Sequence, residues 1–424
     1  MKNNSIPENR KLTVAIVSPG WPLSRFPNGI VAYTHNLLIG LNVIAMSTVL
    51  AAPLMDPEVK NRFVDLTKLE PNRNIWQRLL SKIFFKIPIR CLQKIQYRQT
   101  ISNSADRILC ALNNPDTPFD ILEIEESFGI PFEVVQKTKV PVVTRLHGPW
   151  FIHGPIMKMD SNLDYETRVF YEGEAIKNSS GVTSPSLDVL QKVRDFYGID
   201  LPYAKVIPNP VCEVELNNQW QYRSEAKSFI LVVARFDLHK GGDLIVDAFK
   251  LIAQKNKSVE LVFVGPDRGV TIDGENVNFD EYVERFILDK DTKNRIQFLG
   301  HCNQTRITEL RKTALVTIVC SRYENFPLSL LESLAAGCPT IATAVGGMKE
   351  IIIDDYNGLL AELESPTSIA EKVLMLINDP EKMQRLSKNA IEDCKKRFSP
   401  EVVAAQTLDY YHSVLDRVTN TPAN

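Results

Sequence analysis

The sequence lacks any apolar run of about 18 residues, the least that spans a bilayer as a helix, so no transmembrane segment is expected. Its first residues, Met1 to Lys11, are polar and carry no signal-like apolar core, which places the chain in the cytosol. Charge of one sign is missing too. The net charge is -2, so the bulk offers no nucleic-acid footprint, and no nucleic-acid partner is expected. Cysteine is sparse: Cys91, Cys110, Cys212, Cys302, Cys320, Cys338 and Cys394 are odd in number and widely scattered, which encodes neither a zinc site nor a disulfide framework. No Gly-x-Gly-x-x-Gly follows the first strand and no Walker A loop occurs, which argues against a dinucleotide oxidoreductase and a P-loop enzyme.

What remains is an ordinary globular composition, 44% apolar and 24% charged, over 424 residues. At roughly 100–200 residues per domain, this suits two domains. The first half opens on an apolar strand, Leu12 to Val17, then a Pro- and Gly-rich loop and a helical pattern from Gly29 to Leu41. Apolar runs at Phe119–Ile124, Val140–Leu146 and Gly181–Thr183 alternate with helical stretches. A second series starts at Phe229–Val233 and continues near Val259–Val264, Ile296–Leu299, Leu315–Val319 and Thr340–Ala342, with helices at Gly242–Gln254 and Pro327–Ala336. Asp267 to Asp280 reads as a loop. The rhythm predicts α/β architecture, two Rossmann-like doubly wound domains facing a central cleft, because such sheets bind ligands beyond the carboxyl ends of their strands. The expected boundaries are 1–205, 206–398 and a last helical segment, 399–424.

Two constellations carry chemistry. RFDLHKGGD, from Arg235 to Asp243, places Arg235 and Lys240 at a strand-to-helix turn, where paired glycines permit close backbone approach; this suits a diphosphate. A solvated basic turn would read the same way. The second is SRYENFPLSLLE, from Ser321 to Glu332, where Pro327 fits the first helical position. Glu324 lies in the loop and Glu332 two turns into the helix; carboxylates accept hydrogen bonds from vicinal hydroxyls, although Glu332 on an apolar helix also suits a structural ion pair. The string Asp289-x-Asp291 matches a metal-binding signature but falls at the end of the helical-looking Glu281–Lys290, so it reads as a solvated helix end. Glu123 and Glu125 alternate on the strand Phe119–Ile124, and Glu125 or Glu126 at its carboxyl end is a candidate acceptor contact.

In order, RFDLHKGGD, the E-x7-E of ENFPLSLLE, and Gly346-Gly347 followed by Glu350 resemble the C-terminal domain of the retaining family-four glycosyltransferases of GT-B fold. The resemblance is close over most of 205–415 and loose before it. It implies that Arg235 and Lys240 hold a diphosphate, that Glu324 contacts the donor sugar with the backbone of Asn325, Phe326, Pro327 and Leu328 around sugar and phosphate, and that Glu332 holds ribose hydroxyls. It further implies that Gly29 is the second glycine of a phosphate loop whose first glycine is Asn28 here, that His147 lies near the transferred sugar, and that Pro400–Leu415 crosses back to the first domain. Cleft closure on donor binding is also implied. The function expected is retaining transfer of a sugar from a nucleotide diphosphate sugar, such as a UDP-sugar, to a saccharide or lipid-linked acceptor. Polysaccharide, lipopolysaccharide or glycolipid synthesis is the expected setting, with no metal or other cofactor. A nucleotide-sugar epimerase would turn over donor without acceptor, and a non-catalytic binding subunit would have no need of both cations and both glutamates.

One segment is left. Pro71 to Thr100 carries Arg73, Arg78, Lys82, Lys86, Arg90, Lys94 and Arg98 with no acidic residue, and Trp76, Leu79, Leu80, Ile83, Phe84 and Ile87 share one helical face. Ile75 to Tyr97 is therefore expected either to dock on an anionic membrane surface, as a peripheral protein does, or to pack its apolar face on the first sheet.

Overall fold

The computed structural model describes residues 10–55, 62–70, 90–160, 163–222 and 228–420, so most of the basic segment Ile75 to Tyr97 lies outside the described residues. The chain divides into two compact units, Met1–Pro210 with Pro400–Asn424, and Val211–Ser399.

The first unit contains β1 (Thr13–Ser18), β2 (Met46–Ala51), β3 (Arg62–Asp65), β4 (Ile121–Glu125), β5 (Val142–Arg145), β6 (Gly181–Ser184) and β7 (Lys205–Val206), paired in parallel in the order β3-β2-β1-β4-β5-β6-β7. Helices cover both faces of such a sheet, which is why β1 reads as a continuous apolar run. The helix Gly29–Ile44 starts where the Asn28 side chain accepts the Ile30 N–H at 2.7 Å. It packs on the last helix, Pro400–Asn420: Tyr33, Leu37, Leu38 and Leu41 share a core with Val403, Ala404, Tyr410, Tyr411 and Val414. Gly40 makes the approach possible, since a Cβ there would lie 2.2 Å from the Pro400 carbonyl oxygen.

The boundary between the units falls at 210/211 and not at 205/206. Arg145 donates to Asn209 at 2.8 Å and Asn36 to the Pro210 carbonyl at 3.0 Å, while Val211 N–H already bonds the Phe398 carbonyl in the second unit.

The second unit contains β8 (Phe229–Val233), β9 (Glu260–Val264), β10 (Val270–Ile272), β11 (Glu275–Val277), β12 (Ile296–Phe298), β13 (Val316–Val319), β14 (Thr340–Thr343) and β15 (Leu359–Ala361). Six strands form a parallel sheet in the order β12-β9-β8-β13-β14-β15, and β10 and β11 form a separate antiparallel hairpin. The hairpin corrects the expected loop over Asp267–Asp280. Its two turn residues, Asp273 and Gly274, have φ of 50 and 87, the left-handed pair that a tight Asp-Gly hairpin turn requires.

Two further readings change. The helix after the hairpin is Phe279–Phe286, and a new short helix, Lys290–Lys293, starts at Asp289. The Asp289 carboxylate accepts the Thr292 N–H at 2.9 Å and Asp291 pairs with Arg295 at 3.5 Å, so this string begins a helix instead of ending one. Pro327 stands one position before the helix Leu328–Ala335, as its cap with extended ψ of 125, and not at the first helical position expected.

In each sheet the strand order reverses once, between β1 and β4 in the first and between β8 and β13 in the second. At such a switch point the loops beyond the two strands part and leave room for a ligand.

Candidate functional site

In the second unit, the loops after β8 and β13 flank the switch point. The turn after β8 is built by Asp237, whose carboxylate accepts the Lys240 N–H at 2.7 Å and Arg235 Nε at 2.9 Å. Gly241 then takes φ 69, and a Cβ there would meet the Cys320 carbonyl oxygen at 2.2 Å; one on Gly242 would meet the Phe236 ring at 2.5 Å. The paired glycines thus let the turn lie against β13 and its own core, and the close approach they permit is to protein backbone and ring.

The two loops are fastened to each other. His239 Nε2 lies 2.8 Å from the Tyr323 carbonyl, and Arg322 N–H donates to the His239 carbonyl at 2.9 Å. The Arg322 guanidinium forks onto Asp243 at 2.8 and 2.7 Å and reaches Glu364 at 2.6 and 2.9 Å. Burial disfavours its charge, but these two carboxylates outweigh burial and hold it firmly protonated.

This fastening brings Lys240 and Glu324 into a direct ion pair through Nζ and Oε1. Ser321 Oγ also donates to Oε1 at 2.7 Å. Burial pushes the Glu324 carboxyl up, yet the charges of Lys240 and His239, with hydrogen bonds from Lys240 and Ser321, outweigh it and hold the group below the ordinary carboxylate range. The backbone under Glu324 is fixed as well: its carbonyl accepts the Gly347 N–H at 3.0 Å, and a Cβ on Gly346 would come within 2.2 Å of that oxygen.

Of the remaining donor candidates, Phe326 packs its ring against Phe398 at 5.7 Å, and Leu328 packs on the same core. The side chains of Phe326 and Leu328 therefore belong to the core of the second unit. Glu332 pairs with the buried Arg311 at 2.8 Å and stays about one-third exposed, so one carboxylate serves an ion pair and keeps an open side.

In the first unit, Gly29 opens its helix with nothing within 4 Å of a notional Cβ, so space beside it is open. His147 follows β5. Its ring meets the Tyr33 ring edge-on at 4.7 Å, and burial together with Arg145 keeps the imidazole well below its ordinary pKa, hence neutral at pH 7. Glu126 is committed elsewhere than to an acceptor: its two oxygens accept the N–H groups of His147 at 2.8 Å and Gly148 at 2.5 Å, so it shapes the His147 turn. Glu123 and Glu125, although two apart on β4, have different surroundings. Glu123 is sealed between the hydroxyls of Tyr33 at 2.9 Å and Tyr411 at 2.8 Å, whereas Glu125 ends the strand and has a buried Oε2 without a hydrogen-bond partner among the described residues. Burial and then the neighbouring Glu126 push the Glu125 carboxyl up to about 7.

Sequence reasoning gave no role to Ser321, Arg322 or His239, which fasten the two loops and the Lys240–Glu324 pair. Arg322 and Asp243 lie within the two motifs, but they are far apart in sequence, and no local pattern announces that they pair.

Residues 215–393 match the family model described as "Glycosyl transferases group 1". An uncharacterized glycosyltransferase of Methanocaldococcus jannaschii is 33% identical over 213 residues, covering 50% of this chain and 54% of that protein. The chain spans about half the length of the curated relatives it matches. Among solved structures, sucrose-phosphate synthase from Thermosynechococcus elongatus matches with a TM-score of 0.71 at 17% identity, over 96% of this chain and 100% of that one. Anabaena HepE, solved in complex with UDP and glucose, matches with a TM-score of 0.64 at 17% identity, over 95% and 100%. The fold is therefore that of the GT-B glycosyltransferases, two Rossmann-like parallel-sheet units.

Proposed function

We propose that the chain transfers a hexosyl group, with retention and without a metal, from a nucleotide diphosphate sugar to a hydroxyl of a saccharide or lipid-linked acceptor. The observation that carries this reading is the Lys240–Glu324 pair at the switch point of the second sheet, with Arg235 on the same turn. A diphosphate leaving group needs cations where its negative charge develops, and a sugar needs an acceptor of its hydroxyl hydrogens; this pair puts both beside one strand end. The matched family description and the UDP and glucose held by HepE support the same ligand class.

In this reading the bond from the anomeric carbon to the phosphate oxygen breaks as the acceptor oxygen bonds to the same face, and the acceptor's proton passes to the leaving phosphate. Arg235, Lys240 and the amides of Asn325 to Leu328 stabilise the phosphate charge. Glu324 takes hydrogen bonds from the sugar, Glu332 from the ribose, and neutral His147 serves as a hydrogen-bonding group near the transferred sugar. The engagement of Asp289 with Thr292 and of Asp291 with Arg295 supports a reaction without a metal. Polysaccharide, lipopolysaccharide or glycolipid synthesis fits such an acceptor, and the sequence of Ile75 to Tyr97 supports work at an anionic membrane surface. Among the described residues no helix is long and apolar enough to cross a membrane.

Thermal-shift screening with UDP, GDP, ADP and CMP sugars tests the donor class. A ligand at 100 times its Kd stabilises by about 2.7 kcal/mol, and one nucleotide family is expected to do so. No shift with any of them would overturn the reading, and donor turnover without acceptor would favour an epimerase.

A further inference from the structure

The turn that carries His147 leads directly into Trp150, and there the first unit holds an arginine that no step above employs. Arg168 lies on the helix Leu163–Asn178, and its guanidinium sits between two rings, 4.1 Å from the centroid of Phe128 and 4.0 Å from that of Trp150. Its Nε donates to Glu172 at 2.7 Å, and the side chain is only 14% exposed. The two terminal nitrogens meet no protein acceptor among the described residues. A guanidinium held over two rings and anchored through Nε keeps its terminal N–H groups for another acceptor.

The supports of this arginine are themselves fixed. Glu172 is fully buried, and besides Arg168 it accepts the N–H of Phe128 at 3.1 Å and of Trp150 at 2.7 Å, so one carboxylate sets the backbone of both stacking residues and the pitch of the guanidinium. Tyr97 Oη donates to the Phe128 carbonyl at 2.9 Å from the other side. Phe128 holds φ 62, a conformation that costs a non-glycine residue of this size, while the residue remains 51% exposed. Strain accepted in order to keep a ring over a guanidinium points to use of that guanidinium.

We propose that Arg168, stacked between Phe128 and Trp150 and aimed by Glu172, binds an oxyanion through its two terminal nitrogens. The ligand class is a phosphate or carboxylate group, and on the functional reading given above that group belongs to the sugar acceptor. The location agrees with the role, since Phe128 and Trp150 lie just beyond β4 and β5, in a short 3-10 turn and at the start of the helix Trp150–Ile156, and β4 borders the switch point of the first sheet. The nearby carboxylates leave room for an anion. Glu126 is neutralised in part by two backbone N–H groups, and Glu172 is spent on Arg168 and two more; burial and, among its neighbours, Glu126 push Glu172 up to about 7 against the pull of Arg168. Burial and the neighbouring Glu126 push Glu125 up to about 7 likewise, which lessens the negative charge an incoming anion would meet.

The test uses the full chain with Arg235 and Lys240 both changed to Ala, which removes the phosphate-binding turn of the second unit. Inorganic phosphate, acetate and, as a neutral control, glycerol are titrated calorimetrically. The expected result is millimolar binding of phosphate or acetate and none of glycerol, with the preference between the two anions naming the acceptor's group. Adding Arg168→Lys, which keeps the charge and loses the fork, should weaken the anion at least tenfold. Phe128→Gly, which suits φ 62 and removes one ring, should weaken it several-fold in a protein that folds regardless of the fate of the lysine variant. Absence of anion binding in the Arg235→Ala, Lys240→Ala protein, or binding unchanged by Arg168→Lys and Phe128→Gly, overturns the proposal. If phosphate affinity of the unmodified chain is instead indifferent to Arg235 and Lys240, the donor assignment fails and this one stands.

Discussion

Replacing Lys240 with methionine keeps the length of the side chain and deletes its charge, which isolates what the cation does for Glu324. In the native fold the Glu324 carboxyl lies below its ordinary pKa because Lys240, His239 and Ser321 outweigh burial. A depressed carboxyl adds stability that is present above the unfolded value of about 4.3 and disappears as pH falls through the folded value. Without Lys240, burial becomes the larger influence and the sign reverses: the folded pKa rises, the fold binds the proton more tightly than the unfolded chain, and stability drops as pH climbs through the carboxyl's titration. Removing one partner of a buried pair costs about 3–5 kcal/mol. With side-chain exposures of 23% for Lys240 and 11% for Glu324, the lower end applies. About 3 kcal/mol in a unit of this size corresponds to a loss of about 6–12 °C in the melting temperature of Val211–Ser399 at pH 7.5. At pH 5 the deficit should shrink, because more of the mutant's carboxyl is then protonated and uncharged. Scanning calorimetry of both proteins at the two pH values measures it. A deficit equal at pH 5 and pH 7.5 would refute the electrostatic account.

Three other outcomes follow from the same arrangement. Glu324→Ala is expected to damage transfer more than nucleotide binding, whereas Glu332→Ala should weaken the nucleotide itself; titration of both variants with the free nucleotide decides it, and equal loss contradicts the division of roles. Activity is expected to persist in excess EDTA, and its abolition with rescue by Mg²⁺ or Mn²⁺ would return Asp289 and Asp291 to consideration. Co-sedimentation with anionic liposomes is expected to depend on Arg78, Lys82 and Lys86, and binding unchanged after all three become Glu in a folded protein would reject docking through that segment.

How far the sequence announces this molecule depends on the range over which each signal acts. Strands such as Phe229–Val233 are legible because an unbroken β-branched and apolar run suits only a sheet covered on both faces. β2 is not, since it follows the helix Gly29–Ile44 after a single residue, Ala45, with no turn signal between them. The hairpin Val270–Val277 was announced by its Asp-Gly pair and hidden by the polar residues around it. The motif residues Arg235, Lys240 and Glu324 stand out in the sequence, but that the last two form a pair depends on Arg322 fastening loops that are far apart in the chain. Arg168 looks like one charge among many on a polar helix, and its aromatic walls come from two other segments. The bonds of Glu126 to the His147 turn were hidden because a carboxylate at a strand end looks the same whether it serves a ligand or a backbone turn.

The way the last helix completes the first core has a bearing on the order in which the molecule is made. Tyr410, Tyr411 and Val414 belong to the same apolar cluster as β1 and the helix Gly29–Ile44, and Tyr411 closes over Glu123. A ribosome delivers those residues only after all of Val211–Ser399 has emerged. The unit synthesised second can therefore finish folding first, while the earlier one waits with an open seam and a buried-to-be carboxylate lacking one of its two hydroxyl partners. Nascent chains halted before residue 400 should display that seam to chaperones, and emergence of the helix Pro400–Asn420 should withdraw it.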